Sequence, residues 1–102
     1  MFGSQVSIAA TAHTYNLYTL LSAVDTTIPQ NAHFVTIASD PNNGGANLYL
    51  GDANVTSTLY SNVLISGDSA TYQGVFNSIN LKDIYLASDT AACLVNVSTM
   101  TV

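Results

Sequence analysis

Turn-forming residues cut this chain into short pieces. The clusters Asp40-Pro41-Asn42-Asn43-Gly44-Gly45, Gly51-Asp52-Ala53-Asn54, Ser66-Gly67-Asp68-Ser69 and Ser88-Asp89-Thr90 leave too little chain between them for long helices. The intervening segments follow a period of two. Val6, Ile8 and Ala10 alternate with Ser7, Ala9 and Thr11, which predicts a first strand over about residues 5 to 12. Phe34 to Ala38 is rich in β-branched residues and reads as a strand. In the turn after it Pro fixes φ and Asn and Gly supply positive φ, so a hairpin with Asn47 to Leu50 as the return strand is expected. Val55 to Leu59, Asn62 to Ile65, Thr71 to Phe76, Asp83 to Ala87, Leu94 to Val97 and Met100 to Val102 continue the extended pieces. About eight short strands with frequent turns predict an all-β fold, an antiparallel β-sandwich of jelly-roll-like form.

One segment breaks the pattern. Leu17, Leu20, Leu21 and Val24 are spaced i, i+3, i+4, i+7, which suits one face of a helix. A short helix near residues 16–24 is expected, with Asn16 as its N-cap and the Asp25 to Pro29 stretch ending it. Its apolar face would plug one end of the sandwich.

Charge is nearly absent. The 102 residues hold six acids, all Asp, and one base, Lys82, for a net charge of -5; the pI is 4.1 and the mean hydropathy +0.31. Polarity comes from Ser, Thr and Asn. Nucleic-acid binding draws most of its free energy from phosphate neutralisation by Lys and Arg, so a nucleic-acid partner is not expected. The same shortage removes basic membrane-surface patches and Arg clamps, and no apolar stretch approaches the ~20 residues of a membrane span. The length suits a single domain over residues 1–102. Met1 to Val6 lacks the basic region and apolar core of a signal peptide, so synthesis in a cytoplasm is expected. Cys93, the only cysteine, sits in the apolar run Ala91 to Val95 and reads as a buried, inert thiol. The Asn54 and Asn96 sequons are what chance produces in so Ser/Thr-rich a chain.

Catalysis needs an activated nucleophile, a carboxylate pair with separated pKa values, or a metal with an open position. No Gly-x-Ser-x-Gly elbow occurs, and only His13 and His33 could serve as bases. Both fall at strand edges, so they are read as surface or interface residues. The geometry that would argue otherwise is either histidine within hydrogen-bond reach of both a Ser and an Asp in a concave pocket. The aspartates lie in or beside turns, where Asp accepts hydrogen bonds from the backbone two residues on. Asp40, Asn42 and Asn43 form a partial oxygen set for calcium, without EF-hand spacing or its bidentate Glu. Phosphate-binding Gly series are missing as well. No catalytic, cofactor-binding or metal-ligating residue is therefore assigned. Tyr15, Tyr18, Tyr49, Tyr60, Tyr72 and Tyr85 could line a sugar or peptide surface. Tyr49 and Tyr85, in matching Leu-Tyr-Leu and Ile-Tyr-Leu segments, read as core-adjacent.

The stretch His33 to Thr56, with Asn80 to Asp89, Val95-Asn96-Val97 and the helix-like Asn16 to Val24 before Ile28-Pro29, resembles small β-sandwich virion proteins of tailed bacteriophages. Capsid decoration (cement) proteins are the nearest role. The resemblance implies a non-enzymatic structural protein on the virion surface, with the major capsid protein as partner and no cofactor. Neck, tail or fibre components, or a receptor- or glycan-binding module displayed on the virion, are the alternatives. No catalytic residue is transferred with it.

Composition points the same way independently. A free monomer with so few charges lacks the Lys and Glu that shield sheet edges, and burial in an assembly would supply that protection. Closed rings are the commonest solution for identical subunits, so a homo-oligomer, a trimer by preference, is expected. Residues 1–15 would form either a first strand or an arm reaching a neighbouring subunit.

Overall fold

The computed structural model describes residues 2–8, 13–44, 46–89 and 93–101. The fold is all-β and antiparallel with one short helix. One four-stranded sheet, sheet A, contains β1 (Phe2–Ile8), β4 (Phe34–Ser39), β7 (Ser69–Gln73) and β10 (Cys93–Met100) in the order β1-β10-β4-β7. The other, sheet B, contains β2 (Tyr15–Asn16), β5 (Leu48–Gly51), β6 (Asn62–Leu64) and β9 (Tyr85–Ser88) in the order β2-β9-β5-β6. A two-residue pair, β3 (Asn31–Ala32) with β8 (Ile79–Asn80), stands apart. Leaving that pair aside, the eight strands pair from the outside in: first with last, second with seventh, third with sixth and fourth with fifth.

Alternation explains why two sheets close on one another. Cross-strand register aligns Val6 with Val95, Val97 with Ile37, and Thr99 with Val35, so one face of sheet A is apolar. Leu48, Leu50, Leu64 and Leu86 line the facing side of sheet B, and all these aliphatic residues belong to one buried cluster. The opposite face of sheet A carries uncharged polar side chains at its centre, with Phe34 and Met100 toward one end and the Asp40 carboxylate at the other. There Gln5 aligns with Asn96 and Ala38, and Ser98 with Thr36 and Thr71; the Thr36 and Thr71 hydroxyls hydrogen-bond at 3.0 Å. Thr and Asn can serve as these outward positions because β-branched or short polar side chains suit a pleated surface without carrying charge. Every buried side-chain polar atom among the described residues has a hydrogen-bond partner, which is how a chain with few ion pairs avoids desolvation costs.

The helix α1 (Leu17–Val24) forms where the apolar spacing placed it. Asn16 caps it: its Oδ1 accepts from Thr19 N at 3.1 Å, and its Nδ2 donates to Lys82 O at 2.8 Å, tying the cap to the segment before β9. Leu17 and Leu21 are fully buried and close one end of the core. Val24, the last residue of the helix, differs from expectation at 60 % exposed.

Three further expectations are corrected. The hairpin between Phe34–Ala38 and Asn47–Leu50 does not form, because both edges of β4 are already taken, by β10 and β7. The Asp40–Gly44 segment is instead a corner, with a 3-10 turn over Pro41–Asn43, that carries the chain from sheet A to sheet B. Val55 to Leu59 is not a strand; Thr56 and Leu59 hydrogen-bond to one another in a local loop. The strand expected over Thr71 to Phe76 stops at Gln73, and Phe76 takes a positive φ of 54° that no strand accommodates. Residues 9–12 of the expected first strand, and Val102 of the last, lie outside the described residues. Met100 completes β10. β1 pairs with β10 of its own chain, so residues 2–8 act as a first strand of the sandwich.

Candidate functional site

Asp40 and Asn43, two of the three residues in the oxygen set considered for calcium, are occupied with structure. Asp40 Oδ1 accepts from Asn42 N at 2.8 Å, while Oδ2 accepts from Gln5 Nε2 and Asn96 Nδ2, each at 3.0 Å. Donors therefore converge on the carboxylate, where a cation would need open lone pairs. Asn43 points elsewhere: its Nδ2 donates to Leu94 O and its Oδ1 accepts from Leu94 N, both at 2.8 Å. That side-chain amide extends the β10 ladder past Ser39, where the β4 backbone leaves the sheet. Among the described residues no group of three or more His, Cys, Asp or Glu side chains is placed to hold a metal ion.

The Asn42 N–H, then the Asn96 amide, hold the Asp40 carboxyl below its ordinary value against an opposing cost of burial, and Gln5 adds to the lowering. A carboxyl so lowered contributes stability above the unfolded-state value near 3.8 and loses it as pH falls through the folded value. The stability gap between the wild type and Asp40→Asn is thus expected to be present at pH 6 and to shrink below about pH 4. Urea midpoints at both pH values measure it. A gap that stays constant across that range would show that the carboxylate charge is not what matters.

His13 lies on the rim of a 280 Å³ pocket on the outer side of sheet B, with Val55 and Ala87 as apolar floor and Ser57, Ser88 and Asp89 around it. The structure thus brings a histidine, serines and an aspartate into one concavity. Asp89 and Ser88 are both tied to the start of β5. Asp89 accepts from Asn47 N at 3.0 Å, from Asn47 Nδ2 at 2.9 Å and from Tyr49 Oη at 3.4 Å, which fastens it to the start of β5. The Ser88 hydroxyl donates to Asn47 O at 2.9 Å, so its proton is committed to a carbonyl and not to a base. His33 is elsewhere, between β3 and β4. Its Nδ1 lies 2.8 Å from Phe76 O; a carbonyl only accepts, so Nδ1 carries the proton.

Tyr49 and Tyr85 are core-adjacent as read. Tyr49, Val55 and Ala87 make a small cluster on the outer side of sheet B, with Tyr85 packed against it. Burial first, then the Asp89 charge, pushes the Tyr49 hydroxyl above its usual pKa. Tyr60 packs against Tyr49 with ring centroids 4.9 Å apart and planes tilted by 48°. Lys82 Nζ, the only Lys or Arg charge, lies 5.3 Å from the Tyr18 ring centre in a cation–π contact. Cys93 is 1 % exposed, and burial raises its thiol pKa, so little thiolate is present at neutral pH.

The feature that sequence reading missed is where the apolar surface collects. Of the seven large apolar side chains exposed among the described residues, six fall between Leu59 and Phe76: Leu59, Tyr60, Val63, Ile65, Val75 and Phe76. They flank β6 and β7, the outermost strands on one side of the two sheets. The signal was present as Leu59-Tyr60 and Val75-Phe76, two bulky apolar pairs in segments that turn residues surround. Assigning Leu59 and Val75-Phe76 to strands concealed it. No helix among the described residues is long and apolar enough to cross a membrane. No family model, curated protein or solved structure matches the chain.

Proposed function

We propose that this chain is a non-enzymatic virion structural protein that decorates and cements an assembled phage capsid, binding the major capsid protein on the outer surface as a homo-oligomer, preferably a trimer. The observation that carries the reading is the apolar, nearly charge-free side along β6 and β7. A stable monomer rarely gathers its large exposed apolar residues on one side, whereas an assembly subunit needs such a face. Nested strand pairing supports the jelly-roll reading, a double-sheet wrap common in capsid domains. Lectins and cupins share that wrap, so the fold does not choose the role.

Cementing acts by mass action: a protein that binds only the assembled shell stabilises the shell. Particles lacking this protein are expected to burst at lower temperature than particles carrying it, read by DNA release on heating. Equal heat resistance with and without it overturns the cement role. Copy number places it on the particle. Hundreds of copies fit decoration; a dozen or fewer would move the protein to the neck, tail or fibre.

A further inference from the structure

We infer that the Asn43-Gly44 pair is a site of spontaneous covalent modification, which the folded corner between the two sheets holds closed. The chemistry is that of an asparagine followed by a glycine. The Gly44 nitrogen gives up its proton and attacks the Asn43 Cγ; a C–N bond forms, the Cγ–Nδ2 bond breaks, and ammonia leaves with that proton. Water then opens the cyclic imide. Cleavage at Cγ leaves aspartate, and cleavage at the main-chain carbonyl carbon leaves isoaspartate, whose backbone runs through the former side chain. Glycine favours the first step because it has no Cβ to obstruct its nitrogen and its backbone turns freely. Of the ten asparagines in the chain only Asn43 precedes a glycine, so the reaction has one preferred place.

The corner restrains the groups that react. Asn43 ends the 3-10 turn Pro41–Asn43, and its N–H donates to Asp40 O at 3.0 Å. Nδ2, the atom that must leave, donates to Leu94 O at 2.8 Å and to Ser39 Oγ at 2.9 Å, while Oδ1 accepts from Leu94 N at 2.8 Å. Attack makes Cγ tetrahedral, so a planar amide that bridges Leu94 at both ends cannot react in place. Gly44 is fastened as well, since the Ser66 hydroxyl donates to its carbonyl. Bulk is not the barrier: Gly44 is exposed, and a Cβ built on it would meet nothing within 4 Å. The barrier is hydrogen bonding, and the reaction waits on local opening of the corner. Afterwards the corner cannot close as before. Aspartate sets an oxygen where Leu94 O needs a donor, and isoaspartate adds a carbon to the main chain between β4 and β5. The fold is left in one direction through this residue, because chemical change in an opened chain makes the opening irreversible.

Peptide mapping by mass spectrometry tests this on the full chain, held at mildly alkaline pH either folded or in guanidinium chloride. Asn43 is expected to convert ahead of the other asparagines in denaturant. In the folded chain it is expected to convert roughly thirtyfold more slowly or less, the factor that two hydrogen bonds of ordinary worth supply. Ser39→Ala removes one acceptor from Nδ2, so it is expected to speed conversion roughly fivefold in the folded chain and to leave the rate in denaturant unchanged. A chain converted to aspartate or isoaspartate has one carboxylate more, a net charge of -6 in place of -5, and ion exchange separates it. Returned to buffer, it is expected to melt well below the unconverted chain. Equal rates at Asn43 in folded and denatured chains, or a folded rate that Ser39→Ala leaves unchanged, overturn the protection by the corner. An Asn43 that converts no faster than the other asparagines in denaturant overturns the site. A converted chain that regains the melting temperature of the unconverted one overturns the one-way exit.

Discussion

Replacing Leu50 by Ala is expected to cost about 2–5 kcal/mol, the range for deleting a buried leucine side chain where the surroundings relax only in part. Leu50 is 0 % exposed, in the middle of β5, with Leu86 beside it across the ladder and sheet A above it. A domain of this size is stable by about 5–15 kcal/mol in all, and each kcal/mol moves the melting midpoint by about 4–8 °C. The variant should therefore melt far below wild type, or be partly unfolded at room temperature. Val63→Thr supplies the contrast. Val63 is on the opposite face of the neighbouring strand and is 36 % exposed, so its change should stay within about 0.5 kcal/mol. Comparable losses at the two sites in thermal melts would mean that the faces of sheet B are assigned the wrong way round.

Asn43→Ala comes next, at about 2–3 kcal/mol. Two hydrogen bonds of 2.8 Å to Leu94 disappear together, the Ser39 hydroxyl loses its 2.9 Å donor, and the Leu94 N–H is left at a corner with no obvious replacement. An orphaned donor costs more than the bond itself contributed, which is why the loss exceeds that of two ordinary exposed bonds. Asn43→Asp discriminates the cause. Aspartate keeps an acceptor for Leu94 N but turns a carboxylate oxygen toward Leu94 O, where two acceptors repel. Aspartate should therefore be at least as damaging as alanine, although it has nearly the shape of asparagine. Urea unfolding of the three proteins measures both effects, and a loss under about 0.5 kcal/mol in Asn43→Ala would remove the corner role.

What could be read from residues alone was local. The apolar alternation of β1, β4 and β10 marked their inner faces, and the Asn16 cap and Leu17/Leu21 spacing marked the helix, because each signal is contained within one element. The aspartates behaved likewise: Asp25 accepts from Thr27 N at 2.9 Å and Asp52 from Asn54 N at 2.9 Å, each two residues on. Pairing was not legible. A turn as strong as Asp40 to Gly45 serves a hairpin or a sheet-to-sheet corner equally well, and the choice is made by β10, whose Asn96 lies 56 residues away from Asp40. The surface was harder still. Whether Val63 faces the core or the solvent depends on register with Tyr49, and whether Val75-Phe76 ends a strand or caps a loop depends on a clamp from His33. No periodicity within the segment contains that information.

The place of β10 between β1 and β4 also governs how the chain reaches its fold. Its residues are made after every other strand described, yet they supply the middle of sheet A; Gln5 and Asn96, which hydrogen-bond at 2.8 Å, are 91 positions apart. Contacts that distant form slowly, because loop-closure entropy is lost before any pairing rewards it. Until Cys93–Met100 leaves the ribosome, β1 and β4 each hold open a ladder that belongs to β10. The nascent chain is most prone to aggregate at that moment, just before its last strand arrives, and a translational stall there would expose two unpaired edges at once.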